Sequence, residues 1–190
     1  MGKRRIEKTA KLLDREILVR WHPFELNPQI PREGITRNEY RVRKFGGMER
    51  ANIIEQQLID VGKQVGIGFR YDLMERTPNT RRAHGLLALA LDQSVETQNL
   101  VAERLFTGYF LRGEDPGDPQ LLLNVAKEMG LENVTGSEAF DDPLLQNRIT
   151  QEEQQAHAKG VEGVPSMFLD GRFIASGAQP EQILANALRS

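Results

Sequence analysis

The side chains that most often carry out chemistry are here in small numbers and in unhelpful positions. His22, His84 and His157 share no metal-ligand spacing and have no cysteine to complete a set, and His84 reads as lying on the polar side of its helix, so no metal site is expected. Ser94, Ser137 and Ser166 lie in no strand–turn–helix elbow, and hydrolase chemistry has no support. There is no cysteine in the chain. A thiolate is the nucleophile of disulfide exchange, so the residues as written cannot form and release a mixed disulfide. No catalytic residue and no cofactor is assigned. Glu114-Asp115 reads as solvated loop charge, and Trp21, Phe24, Tyr109 and Phe110 as core or interface.

Composition narrows the remaining possibilities. Apolar residues make up 39% and charged residues 27% of 190 residues, with Lys+Arg at 25 against Asp+Glu at 27. Charge this balanced gives no basic surface for nucleic acid or an anionic membrane, and no apolar run is long enough for a membrane span. The start Met1-Gly2-Lys3-Arg4-Arg5 is no signal peptide, and cytoplasmic residence is expected.

Ile6, Ala10, Leu13 and Ile17 recur at helical spacing and predict a helix over roughly 3 to 15. Its first turn is basic and lacks a cap, as if the helix were entered partway along. Ile17 to Phe24 is β-branched and aromatic and predicts a strand. Helix followed by strand implies a βαβ unit whose first strand is absent upstream. Met1 is accordingly read as an internal methionine of a longer protein. Thr36 and Glu39 stand in capping-box relation, and from there to about residue 160 the pattern is helical. Gly46-Gly47 interrupts it, and Gly66 to Tyr71 could be extended. Asn79 can cap a helix, Asp118-Pro119 and Asp142-Pro143 pair a cap with a proline at the first helical position, and Gly130 and Gly160 can end those helices. Ser166 to Ala175 forms a hairpin around Asp170-Gly171, and Pro180 opens a last helix.

Four motifs occur in order along the chain: Trp21 to Pro28, Thr77 to Arg81, Leu105 to Phe110 with Gly117-Asp118, and Gly163-Val164-Pro165 followed by Ser176 to Pro180. Together they resemble the FrnE-like branch of the DsbA family. The resemblance implies an α/β thioredoxin-like fold with an inserted all-helical domain. Residues 1–35 and 161–190 would form the discontinuous thioredoxin-like domain, without its first strand, and residues 36–160 the insertion. In that family a Cys-Pro-Trp-Cys site starts the first helix, and here it would end just before Met1.

The same resemblance implies a cis bond at Val164-Pro165 facing that helix, with the Val164 backbone free to pair with a cysteine-containing polypeptide or a glutathione-like thiol. Asn79 and Thr80 could face the cleft between domains. Ser176, Ala178 and Gln179 precede the last helix, whose first amides could receive a ligand carboxylate. The implied activity is thiol–disulfide exchange or isomerisation, with this chain retaining binding but not reaction. One alternative is a glutathione-dependent 2-hydroxychromene-2-carboxylate isomerase or kappa-class transferase relative, although Ala178-Gln179 departs from the turn typical of those enzymes. The other is a redox-inactive binding protein, whose open strand edge a partner or a second copy, as a homodimer, would cover.

Overall fold

A computed structural model describes residues 1–189. Helix α1 spans Gly2–Leu13, close to the predicted limits, and ends at Asp14 in the left-handed region. Its apolar stripe lies on the last helix, α8 (Glu181–Arg189), and between them Thr9 is fully buried, its hydroxyl donating to the Arg5 carbonyl. Strands β3 (Ser166–Leu169) and β4 (Arg172–Ser176) pair antiparallel through the expected Asp170-Gly171 turn, where both residues have positive φ. A shift in register falls between Met167 and Phe168.

The remaining elements are helical apart from one small bridge. Strand β1 (Ile35–Thr36) pairs antiparallel with β2 (Arg76–Thr77), a feature that two-residue strands do not advertise in sequence. Thr36 accepts from the Glu39 amide and opens α2 (Arg37–Phe45), which stops at Gly46 before α3 (Met48–Gln64) begins. Helices α4 (Arg81–Gln93), α5 (Val95–Arg112), α6 (Pro119–Glu128) and α7 (Pro143–Ala158) follow. Asp118 and Asp142 cap α6 and α7 ahead of Pro119 and Pro143, as their spacing predicts. The largest core joins Leu86 and Ala90 of α4, Val101 of α5 and Leu122 and Val125 of α6 around Phe140, all fully buried. Among the described residues, no helix is long and apolar enough to cross a membrane, and no cluster of His, Asp and Glu could hold a metal ion.

Four local expectations change. Ile17 to Phe24 forms no laddered strand: no backbone group there pairs with another strand, and side chains of α5 hold it instead. The segment from Gly66 is irregular and closes in a 3₁₀ turn at Tyr71–Leu73, because no strand lies beside it. Thr80, not Asn79, is the residue flanking α4, although the Asn79 side-chain Oδ1 still accepts from the Arg81 amide, as a capping residue's does. Glu114 is no free loop charge, since it pairs with Arg104, which holds the turn after α5 against that helix.

Candidate functional site

The start of α1 and the loop before β3 meet. Gly2 stands so close to Pro165 that a Cβ on it would lie 2.9 Å from Pro165 Cγ and 3.4 Å from Pro165 Cβ. Only a hydrogen at this position lets the helix tip and the proline ring touch. Gly2→Val should therefore push the two apart and lower stability by about 1–3 kcal/mol, as overpacked contacts do, in a chemical denaturation experiment.

The Val164–Pro165 peptide bond is cis. The loop is closed by the Gly177 amide, which donates to the Pro165 carbonyl at 2.8 Å, and by Ser166 Oγ, which donates to the Gly163 carbonyl at 2.7 Å. Val164 itself stays 49% exposed, and neither its N–H nor its carbonyl has a hydrogen-bond partner among the described residues. A donor and an acceptor on one exposed residue can bind the backbone of an incoming chain.

The basic first turn of α1 is neutralised rather than left against the helix dipole. Lys3 reaches Glu103 of α5 at 2.8 Å and also pairs with Glu7; Arg4 pairs with Glu7 at 2.9 Å and with Glu103. Burial by itself would raise the pKa of both glutamates and lower that of Lys3. The cross-pairing outweighs it, so Glu7 and Glu103 titrate below the ordinary carboxylate value and Lys3 above its own. The cluster ties the tip of α1 to α5 at neutral pH. Its contribution disappears as acid protonates the two carboxylates.

Next to this cluster, Trp21 meets Phe106 edge to face at 5.6 Å, and Phe106 leads to Phe110. The tip of α1 thus has Pro165 on one side and the Glu103–Phe106 stretch of α5 on another. Sequence reasoning did not single out Arg4, Gln98, Asn99 or Glu103. The available signal was the polar Gln98, Asn99 and Glu103 succession within the apolar α5, where a buried polar group needs a partner.

The other expected site residues lie elsewhere or face inward. Asn79 is spent at both ends, its Nδ2 donating to the Ile30 carbonyl at 2.8 Å and its Oδ1 accepting from Arg81 N. Thr80 Oγ1 stands 3.4 Å from His84 Nε2. Among the described residues, no contact joins this pair to Val164 or Pro165. His84 does not lie on a polar face: the Phe24 loop covers it and leaves it largely desolvated, which brings its pKa down to about 4. Gln179 turns back on its own loop, Nε2 donating to the Ser176 carbonyl at 2.6 Å. Beside Asn79, Glu25 is 5% exposed and pairs with Arg81, which also serves Glu153; burial outweighs Arg81 and raises the Glu25 pKa.

A cleft of about 300 Å³ lies between Arg32, Pro78, Arg82 and Asp115. Arg32 and Arg82 are both paired with Asp141, and no lining residue comes from α1, the Pro165 loop or α8.

A helix tip set against a cis-proline loop, with a β-hairpin and a closing helix behind it, defines a thioredoxin-like protein. The chain belongs to the DSBA-like thioredoxin domain family, whose pattern it matches over residues 1–189. No curated protein matches it. Among solved structures it is similar to the probable DsbA oxidoreductase from Streptomyces coelicolor, with a TM-score of 0.80 and 24% identity over 98% of this chain and 81% of that one. It is also similar to a 2-hydroxychromene-2-carboxylate isomerase, with a TM-score of 0.69 and 17% identity over 99% of this chain and 87% of that one. At these identities the likeness is one of fold.

Proposed function

We propose that this chain is the substrate-holding part of a FrnE-like thiol–disulfide oxidoreductase or isomerase, which grips a cysteine-containing polypeptide or a glutathione-like thiol at Val164-Pro165. The contact of Gly2 with Pro165 carries this reading, because it sets an exposed, unpaired backbone residue beside a helix tip. No residue among the 190 is a cysteine, so none of them can be the attacking thiolate. Their part is to hold the substrate backbone in place for a thiol they do not contain. In this reading residues 1–35 and 161–190 form the thioredoxin-like unit, residues 36–160 the helical insertion, and the protein works in the cytoplasm.

The glutathione-dependent isomerase reading has less support, since the Gln179 amide is already committed to Ser176.

Titration calorimetry with reduced glutathione and with a short cysteine-containing peptide tests the proposal. Val164→Pro removes the unpaired Val164 amide and should weaken peptide binding about five- to tenfold, the worth of one backbone hydrogen bond, whereas Val164→Thr should not. Failure of both probes to bind, or equal binding by Val164→Pro, would sink it.

A further inference from the structure

The cleft beside Arg32 takes its walls from the loop before β1, the start of α4 and the loop before α6. A second cavity of about 90 Å³ adjoins it and reaches Asp141, and Arg32, Arg82 and Gly117 line both. No wall belongs to residues 1–31 or 147–189, so the cleft owes nothing to the ends of the chain. Its charges are divided. On the side of the smaller cavity, two guanidinium groups share one carboxylate: Arg82 takes both oxygens of Asp141 through Nε and Nη2, and Arg32 Nη1 donates to the same Asp141 at 3.1 Å. That leaves Arg32 Nε and Nη2 and Arg82 Nη1 without an acceptor among the described residues. The larger cavity adds Glu33, Asp115 and Asp118. Among the described residues Glu33 and Asp118 have no ion pair, and Asp115 has only Arg76, at 3.9 Å. Neither Arg32 nor Arg82 pairs with any of these three carboxylates, so the two groups face one space from beyond ion-pair distance. Gly117 stands where the cavities join. A Cβ there would meet Asp115 Oδ1 at 3.1 Å and the Asn79 carbonyl and Pro78 Cβ at 3.2 Å, so a side chain would narrow the passage.

We infer that this cleft binds a small zwitterion of dipeptide size, its carboxylate held by Arg32 and Arg82 and its ammonium by Asp115 and the neighbouring Glu33 and Asp118. A guanidinium fork matches a carboxylate in planar, two-pronged geometry, and the N–H groups that Asp141 does not occupy supply that match. An ammonium carries three donors and can take carboxylate oxygens from several directions. A ligand with a negative charge alone would leave the acidic side unanswered, and one with a positive charge alone would face the guanidinium groups. A volume near 300 Å³ is at the small end of ligand sites, which suits a molecule of this size rather than a folded partner. The site shares no residue with Val164-Pro165 and needs no thiol, so it is independent of the function proposed above.

The probe is glycylglycine, alongside N-acetylglycylglycine, which keeps only the carboxylate, and glycylglycinamide, which keeps only the ammonium. In an NMR titration the amides of Gly34 and Gly117 should shift and saturate with glycylglycine, and each derivative should bind about tenfold more weakly, the worth of one charge-assisted contact. Arg32→Gln removes a guanidinium whose side chain is 68% exposed. It should leave the melting temperature in place, weaken glycylglycine and the acetyl derivative, and spare the amide derivative. Asp115→Asn keeps an acceptor for the Gly117 amide and should act in reverse, weakening glycylglycine and the amide derivative while sparing the acetyl one. Equal binding of glycylglycine and glycylglycinamide would mean an acidic surface that attracts any cation, and would overturn the assignment. Equal binding of glycylglycine and its acetyl derivative would mean an anion site alone, and would overturn it too. So would the absence of saturable shifts at Gly34 and Gly117, or an order of affinities that neither substitution changes.

Discussion

Gln98→Ala should cost about 3 kcal/mol of unfolding free energy, measured by urea denaturation and followed through Trp21, the chain's single tryptophan. Gln98 is 1% exposed and has three hydrogen bonds, two to the Trp21 backbone and a third from Nε2 to the Leu87 carbonyl at 3.2 Å. Truncation leaves a cavity and strips the Trp21 amide of its acceptor where water has poor access. Gln98→Leu refills much of the volume but restores no polar partner, so it should recover less than half of the loss. Asn99→Ala, at a half-buried position, should cost nearer 1 kcal/mol. Exchange of the Trp21 amide should accelerate in both Gln98 variants. A Gln98→Ala loss below about 1 kcal/mol would mean that α5 does not hold the segment.

Stability should also fall as the pH is lowered from about 6.5 toward 4, and His84 should be responsible for much of the upper part of that fall. Burial is the main reason its pKa is down at about 4, with the Arg81 charge adding to it and the Phe24 carbonyl opposing. In the unfolded chain an imidazole titrates near 6.5. Between those two values the unfolded state binds more protons than the native one, so the unfolding free energy rises with pH, and acid removes it. The full shift amounts to about 3 kcal/mol, and half of that should be lost by about pH 5. Glu25 acts in the opposite sense, since its raised pKa means that protonation relieves a buried charge. Glu7, Glu103 and Asp141 have lowered pKa values, so their contributions fade only once the pH drops through the carboxylate range. Between pH 7 and 5 the slope therefore reports chiefly the histidine, with Glu25 opposing it. His84→Gln, which keeps a donor for Phe24, should flatten the slope there, and an unchanged slope would refute the assignment.

Both predictions rest on segments that crossing elements cover, and they show where sequence reading stops. The caps at Thr36, Asp118 and Asp142, the break at Gly46-Gly47 and the turn at Asp170-Gly171 were legible because each depends on residues within four positions of one another. The β-branched and aromatic character of Ile17 to Phe24 was legible for the same reason. That the segment would remain unladdered was not, because a ladder depends on what lies alongside. Asn79 and His84 were misplaced for a related reason: the loop from Trp21 to Ile30 folds over both, and nothing within α4 announces its arrival.

By itself the sequence determined the family, through its four ordered motifs, together with most of the helices, the closing hairpin and the absence of any thiol. Tertiary structure decided that Gly2 touches Pro165, that Glu103 neutralises the basic helix tip and that Gln98 and Asn99 hold the backbone of Val19 and Trp21. Those partners are separated by about eighty residues or more. Local propensity cannot encode such meetings, because burial of apolar surface fixes which distant side chains come within hydrogen-bonding distance.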